Sequence, residues 1–236
     1  MTAPTPPPAS PAGPPAGLVA VSAKLFGDRL PVAQRYAELL ATAGVERGLI
    51  GPREAPRLWE RHLLNCAVLG ELLPNGASVI DVGSGAGLPG VVLGIARPDL
   101  RITLLEPLAR RVTFLEEVVG ELGLSGVAVV RGRAEESVGR LSADVVTARA
   151  VAPLDRLAGW CLPLAAEGGR MLAMKGSTAA AEIAEHAPAI RRAGGGAARI
   201  VECGKGAVDP PTIVVEVPLV GAPARGGSRQ KGKRRR

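Results

Sequence analysis

The stretch Ile80-Asp81-Val82-Gly83-Ser84-Gly85-Ala86-Gly87-Leu88-Pro89-Gly90 constrains the fold more than any other part of the chain. A short apolar run, residues 77–82, leads into it, and a helical pattern over residues 88–96, with Pro89 near its first position, leads out. Between them glycines let the backbone approach a ligand more closely than side chains would permit. A buried strand, a glycine turn and a helix N-terminus together make a site for a nucleotide-like cofactor. Two registers are present. From Gly85 the letters read G-x-G-x-x-G, the fingerprint of NAD-binding sheets. From Gly83 they read G-x-G-x-G directly behind Asp81, as in sites for S-adenosylmethionine.

The sequence after the loop alternates strand and helix. RITLLE (101–106), GVAVVRG (126–132), ADVVTARA (143–150) and GGRMLAMKG (168–176) read as strands, with helices expected over 108–122 and 154–164 and a short one between the third and fourth strands. Such alternation predicts a parallel, doubly wound sheet. AARIVEC and TIVVEV follow each other with no helical crossover, so the sheet is expected to end in an antiparallel pair. The core must be aliphatic, because only 2% of residues are aromatic. Ahead of the loop, residues 18–75 read as a helical lobe packed on the core. In RLWERHLLNCAVLGELL the residues Leu58, Trp59, His62, Cys66, Leu69 and Leu73 recur at spacings of three and four.

Glu106 does not separate the two registers, because an acidic residue ending the second strand binds ribose hydroxyls in either kind of site. Four other features favour S-adenosylmethionine. Asp81, two residues before Gly83, would repel a pyrophosphate but suits a cofactor carrying a sulfonium and an ammonium. Ala134 and Glu135, in RAEE after the third strand, fit the edge of an adenine. The antiparallel ending is usual for methyltransferase sheets. No second domain with groups for hydride transfer follows.

The substrate pocket of such a sheet lies beyond the carboxyl ends of the strands. Arg149 and Lys175, ending the fourth and fifth strands, are the candidate catalytic residues there, with a solvated strand end or a simple ion pair as the structural alternative for each. No Asp, Glu, Cys or Asn-Pro pair ends the fourth strand to take a proton. A ring nitrogen with a free lone pair, such as guanine N7, loses no proton on methylation and needs only alignment. Arg and Lys also suit the N7/O6 edge of guanine and nearby phosphates.

Charge is unevenly placed. Of 29 Lys and Arg residues seven lie in the last stretch, ARGGSRQKGKRRR, which leaves 22 against 22 acidic residues elsewhere. Residues 221–236 are read as a flexible basic tail that attracts polyanions without base specificity. Residues 1–17 are read as a disordered Pro-rich leader lacking the features of a signal peptide. No run of about 18 to 20 apolar residues spans a bilayer. Cys66, Cys161 and Cys203 show no metal-ligand spacing, so no metal is expected, and scattered thiols fit a cytoplasmic protein.

RHLLNCAVLGELL, VIDVGSGAGLPGVVLGIARPDLRITLLEPLARRVTFLEEV, VRGRAEE, ARAVAPL and GRMLAMKG together resemble the bacterial ribosomal RNA small subunit methyltransferase G family, also called glucose-inhibited division protein B, over roughly residues 35–217. The specific elements are D-[VI]-G-[ST]-G-x-G-[LF]-P-G, R-x-x-F-L (Arg111, Phe114, Leu115), [ST]-R-A and the final K-G. The resemblance implies an α/β fold of class I S-adenosylmethionine-dependent methyltransferases. That is a Rossmann-like, mostly parallel seven-stranded sheet with a terminal antiparallel strand, in a methyltransferase domain over 76–220 behind the helical lobe. It implies methylation of guanine N7 in small-subunit (16S) rRNA near the decoding site, with rRNA or the small ribosomal subunit as partner, and a monomer.

By the same match Gly83 and Leu88 line the methionine end of the cofactor, beside Asp81, Gly85 and Gly87. Glu106 holds the ribose, Ala134 and Glu135 the adenine, and Arg149 sits at the transfer pocket, where it also borders the cofactor. His62 falls in the family's R-H-x-x-[DN] element and is read as a packed helix histidine. Ala148 and Cys66 depart from the family's more frequent Ser or Thr and Ser, and an N-L-T element before the Arg-His helix is absent. An NAD-dependent oxidoreductase and a noncatalytic RNA-binding protein of the same fold stay open as alternatives.

Overall fold

A computed structural model of the chain describes residues 13–149 and 152–221. Seven strands form one sheet: β1 (Ser78–Val82), β2 (Arg101–Glu106), β3 (Val127–Arg131), β4 (Ala143–Arg149), β5 (Ala165–Lys175), β6 (Arg199–Cys203) and β7 (Thr212–Pro218). Their order is β3-β2-β1-β4-β5-β7-β6. The first five run parallel, and β7 lies antiparallel between β5 and β6. The expected antiparallel ending is therefore present. The order reverses between β1 and β4, which opens a crevice at the carboxyl ends of those strands.

Helices cover both faces: α1 (Val19–Phe26), α2 (Leu30–Leu39), α3 (Leu64–Ala67), α4 (Gly90–Ala96), α5 (Ala109–Glu121), α6 (Ala134–Ser137), α7 (Leu154–Cys161) and α8 (Ala179–Arg192). In β1 the side chains alternate. Val79 packs with the N-terminal helices, α4 and α5, while Ile80 and Val82 pack with α7 and α8. Burial on both faces explains why the strand is a continuous apolar run. Leu63, Leu64, Cys66 and Leu69 share one core with Val91, Leu93 and Leu172, so the helical lobe closes the sheet face. Arg97 fastens the end of that lobe, donating to the carbonyls of Gly70 (2.9 Å) and Leu73 (3.2 Å) while pairing with Asp99 at 2.7 Å. The guanidinium holds the Asp99 carboxyl well below the usual carboxylate range.

Four details differ from the sequence reading. Residues 58–72 are one helical path, but it is wound as a π segment (Leu58–Leu63), α3 and a 3-10 segment (Val68–Leu72). The apolar stripe survives that change, with Leu58, Trp59, Cys66, Leu69 and Leu73 all buried. Pro89 stands just outside α4, which begins at Gly90. Strand β5 begins at Ala165, three residues before the expected 168. Helix α8 has no counterpart in the sequence reading: its face buries only Ala179 and Ile190, and Pro188 inside it reads as a break. The leader up to residue 12 and the basic tail from residue 222 lie outside the described residues. Among the described residues no helix is long and apolar enough to cross a membrane.

Candidate functional site

The glycine loop leaves β1 at Val82 and crosses the carboxyl ends of β1 and β2. Gly83 donates its N–H to the Leu105 carbonyl at 2.8 Å, which pins the loop's start to the neighbouring strand. Gly87 needs its glycine twice over. Its φ is +99°, and a Cβ there would lie 2.8 Å from the Tyr36 hydroxyl. Tyr36, fully buried on α2, donates to the Ala86 carbonyl at 2.7 Å. The lobe therefore holds the loop from above, a contact the sequence reading did not anticipate. The signal was present in that Tyr36 is the only tyrosine of the chain.

Asp81 faces α4 and is completely buried. Its Oδ2 accepts from the Gly90 N–H at 2.9 Å, capping the start of α4, where the helix dipole favours an anion. The sequence reading gave Asp81 to the cofactor alone, yet one of its oxygens is structural. The other, Oδ1, is buried without a hydrogen-bond partner. Burial pushes the carboxyl up to about 7, opposed by the Gly90 N–H, Ser84 and the Arg149 charge, and reinforced by Glu106.

Glu106, 1% exposed, ends β2 beneath the loop. Its Oε2 accepts from the Gly85 N–H and its Oε1 from the Leu108 N–H, each at 3.0 Å, and Arg111 stands 3.7 Å away. The carboxylate thus braces the glycine loop against the turn into α5. Leu88 is half-buried against the lobe. Ala134 is buried and Glu135 exposed at the start of α6, beyond β3.

Arg149 points from the end of β4 toward the lobe. Its Nη1 donates to Cys66 Sγ at 3.1 Å, and its Nη2 reaches the Nδ1 of His62 and the Arg61 carbonyl. His62 is therefore a partner of Arg149 as well as a packed helix residue. Burial and the Arg149 charge lower its pKa, against the pull of Glu54.

Lys175 goes elsewhere. Arg149 pairs in register with Met174, so alternation turns Lys175 to the opposite face of the sheet. There its ammonium bonds Glu182 of α8 at 2.7 Å and the Ala152 carbonyl at 3.0 Å. Glu182 also accepts from the Leu154 N–H at 3.1 Å, so the pair ties β5, α8 and the start of α7 together. The structure brings Asp81, the glycines, Glu106 and Arg149 to one crevice and leaves Lys175 behind the sheet. The ion-pair partner is Glu182, on a helix for which the sequence carries no clear pattern. Among the described residues no group of three or more His, Cys, Asp or Glu is placed to hold a metal ion.

Comparison with known proteins identifies the family. The family described as rRNA small subunit methyltransferase G (GidB) matches residues 29–209. A ribosomal RNA small subunit methyltransferase G of Salinispora tropica is 59% identical over 236 aligned residues, covering 95% of this chain and 98% of its own. That of Salinispora arenicola is 62% identical over 213 residues, covering 87% and 88%. In fold, the chain resembles a SAM-dependent methyltransferase from Aquifex aeolicus with a TM-score of 0.50 at 20% identity, over 75% of this chain and 98% of that one. On the match of both the family and its full-length relatives, the chain belongs to the rRNA small subunit methyltransferase G family.

Proposed function

We propose that this S-adenosylmethionine-dependent rRNA methyltransferase acts on N7 of a guanine near the decoding site of the small subunit, and that the crevice between β1, β2 and β4 is its active site. The observation that carries the site assignment is the orphaned Oδ1 of Asp81. A fully buried carboxylate oxygen without a donor costs about 1–3 kcal/mol or more. A cationic cofactor group supplies the missing donor, and a pyrophosphate does not. The residues fit S-adenosylmethionine: Asp81 for its ammonium, Gly83, Gly85, Gly87 and Leu88 for the methionine end, Glu106 for the ribose hydroxyls, Ala134 and Glu135 for the adenine. When bound, the cofactor supplies an electrophilic methyl group on a sulfonium.

The chain's own part is orientation. Guanine N7 attacks through a free lone pair and releases no proton, so no general base is required. Arg149 retains N–H donors beyond those given to Cys66, His62 and Arg61, and these suit guanine O6 or a flanking phosphate. Fixing the base against the methyl group removes orientational entropy from the barrier. The decisive experiment compares 7-methylguanosine in small-subunit rRNA from deletion and parent cells, by nucleoside mass spectrometry and site mapping. Identical modification in the two would reject the assignment.

Two predictions arise from the cofactor side. Glu106→Ala removes the partner of two loop amides as well as of the ribose, and is expected to weaken S-adenosylhomocysteine binding about 30-fold, equivalent to about 2 kcal/mol. Isothermal titration checks this, and unchanged affinity would detach Glu106 from the site. The second concerns pH. Asp81 is raised to about 7 when folded, against 3.8 for the free side chain. Its folded form holds the proton longer than the unfolded chain, so its contribution to stability declines as pH rises from about 4 to about 7 and is level above that. Ligand binding has the opposite sense, because the cofactor's ammonium needs an ionised Asp81. S-Adenosylhomocysteine affinity is expected to rise between about pH 6 and 7.5, and Asp81→Asn to abolish the rise.

A further inference from the structure

The π segment Leu58–Leu63 carries His62 to a place where a regular helix would not turn it the same way, and such segments cluster at functional sites. The hydrogen-bond directions around His62 follow from chemistry. A guanidinium has only donors, so Arg149 Nη2 must donate to His62 Nδ1, which then carries a lone pair. The ring proton sits on Nε2 and is given to Glu54 Oε2 at 3.0 Å. The His62 side chain is 13% exposed and Glu54 33%, so the chain of bonds runs from the solvent edge of the lobe to the end of β4. Every bond in it points one way.

We propose that His62, held as the Nε2–H tautomer by Glu54, is a positioning residue that fixes the guanidinium of Arg149 at the methyl-transfer pocket. The inference rests on the reading that places Arg149 there. Arg149 is the last residue of β4, and a long side chain at a strand end has many rotamers. Three lobe groups, His62, Cys66 Sγ and the Arg61 carbonyl, choose one.

Protonation would undo the choice. A proton on Nδ1 turns the acceptor into a donor aimed at a cation, and the contact with Arg149 breaks. The charged groups facing His62 are Glu54 and Arg61 from the lobe and Arg149 from β4. Cys66, Asp81 and Tyr36 of α2 act one step further on, around Arg149. Burial and Arg149 hold the imidazole neutral at ordinary pH, so the arrangement is intact near neutrality and is lost as pH falls.

The test uses the full-length protein, small-subunit particles from cells lacking the methyltransferase, and S-adenosylmethionine. His62→Ala is expected to lower kcat about 30-fold, the scale of a misplaced reacting group, with S-adenosylhomocysteine affinity within about threefold of the parent. His62→Asn sets an amide oxygen near the Nδ1 position and is expected to regain about tenfold of that loss. His62→Gln extends its amide toward Glu54 instead and regains none. A merely structural histidine would not separate these two amides, and they decide the matter even where the alanine variant fails to fold.

The parent's kcat is expected to fall on the acid side of neutrality and the Asn variant's to stay flat there. Equal activity of the Asn and Gln variants, or an identical acid limb in parent and Asn variant, overturns the inference. Arg149→Ala, measured alongside, separates the two layers. If it retains parental kcat, the placement of Arg149 fails. If it loses kcat while all His62 variants match the parent, only the positioning role fails.

Discussion

Arg149→Ala is expected to lower kcat for small-subunit rRNA methylation by about 10²–10³-fold, the range seen when one preorganised polar group is removed from a transition state. The effect should fall on kcat. On the proposed assignment of Asp81, the glycine loop and Glu106 to the cofactor, S-adenosylhomocysteine affinity is expected to stay within about threefold of the parent. One lost cation among many phosphate contacts should cost rRNA affinity little, with a salt slope smaller by about one. Arg149→Lys should not restore the rate, because an ammonium is not a planar fork able to serve Cys66, His62 and a base at once. Single-turnover methylation with saturating cofactor checks the prediction. A parental rate would remove Arg149 from the mechanism.

The sheet was readable from sequence because its pattern is strong and local. β2, for example, occupies the very residues read as a strand, RITLLE, bounded by the loops that close it. The glycine loop at the proposed cofactor crevice was readable for a related reason: glycines with positive φ and a carboxylate at a strand end are demands of the local backbone. What escaped was set by distant packing. Nothing in the spacing of AAAEIAEHAPAIRR reveals that Lys175 will find Glu182 on it, 7 positions along the chain. Likewise Tyr36 meets Ala86, and His62 meets Arg149, across separations of 50 and 87 residues. A helical stripe says which face is inward and leaves open what it meets. Asp81 shows a third limit, since its residue type suggests a charge for a cofactor but not that one oxygen caps α4.

Gly90→Ala is expected to be the most damaging small substitution at the crevice that touches no substrate. A Cβ there would collide with the Leu104 side chain on β2 and lie 2.8 Å from Asp81 Oδ2 and 3.0 Å from Asp81 Cβ. Leu104 is fully buried and has no room to withdraw, so α4 must move outward. That movement also breaks the bond from the Gly90 N–H to Asp81, which leaves a second carboxylate oxygen without a donor. Overpacking costs about 1–3 kcal/mol and a lost charge-assisted hydrogen bond about 1.5–3 kcal/mol. Taken together, a loss of about 3–5 kcal/mol is expected, or a Tm lower by about 10 °C or more for a chain of this size. On the proposed role of Asp81, the cofactor should lose affinity by about 100-fold, because the carboxylate is no longer fixed by the Gly90 N–H. Gly120→Ala is the matched control. It lies in α5 with nothing within 4 Å of its Cβ, so a gain of about 0.5–1 kcal/mol is expected there. Asp81→Asn completes the comparison. Its amide oxygen still accepts from Gly90 while its charge is gone, so it should melt near the parent yet bind cofactor poorly. If Gly90→Ala melts with the parent, the helix start is not held against β2 as described. If it melts low but binds cofactor normally, the cap and the cofactor carboxylate are independent, and Asp81 serves only the fold.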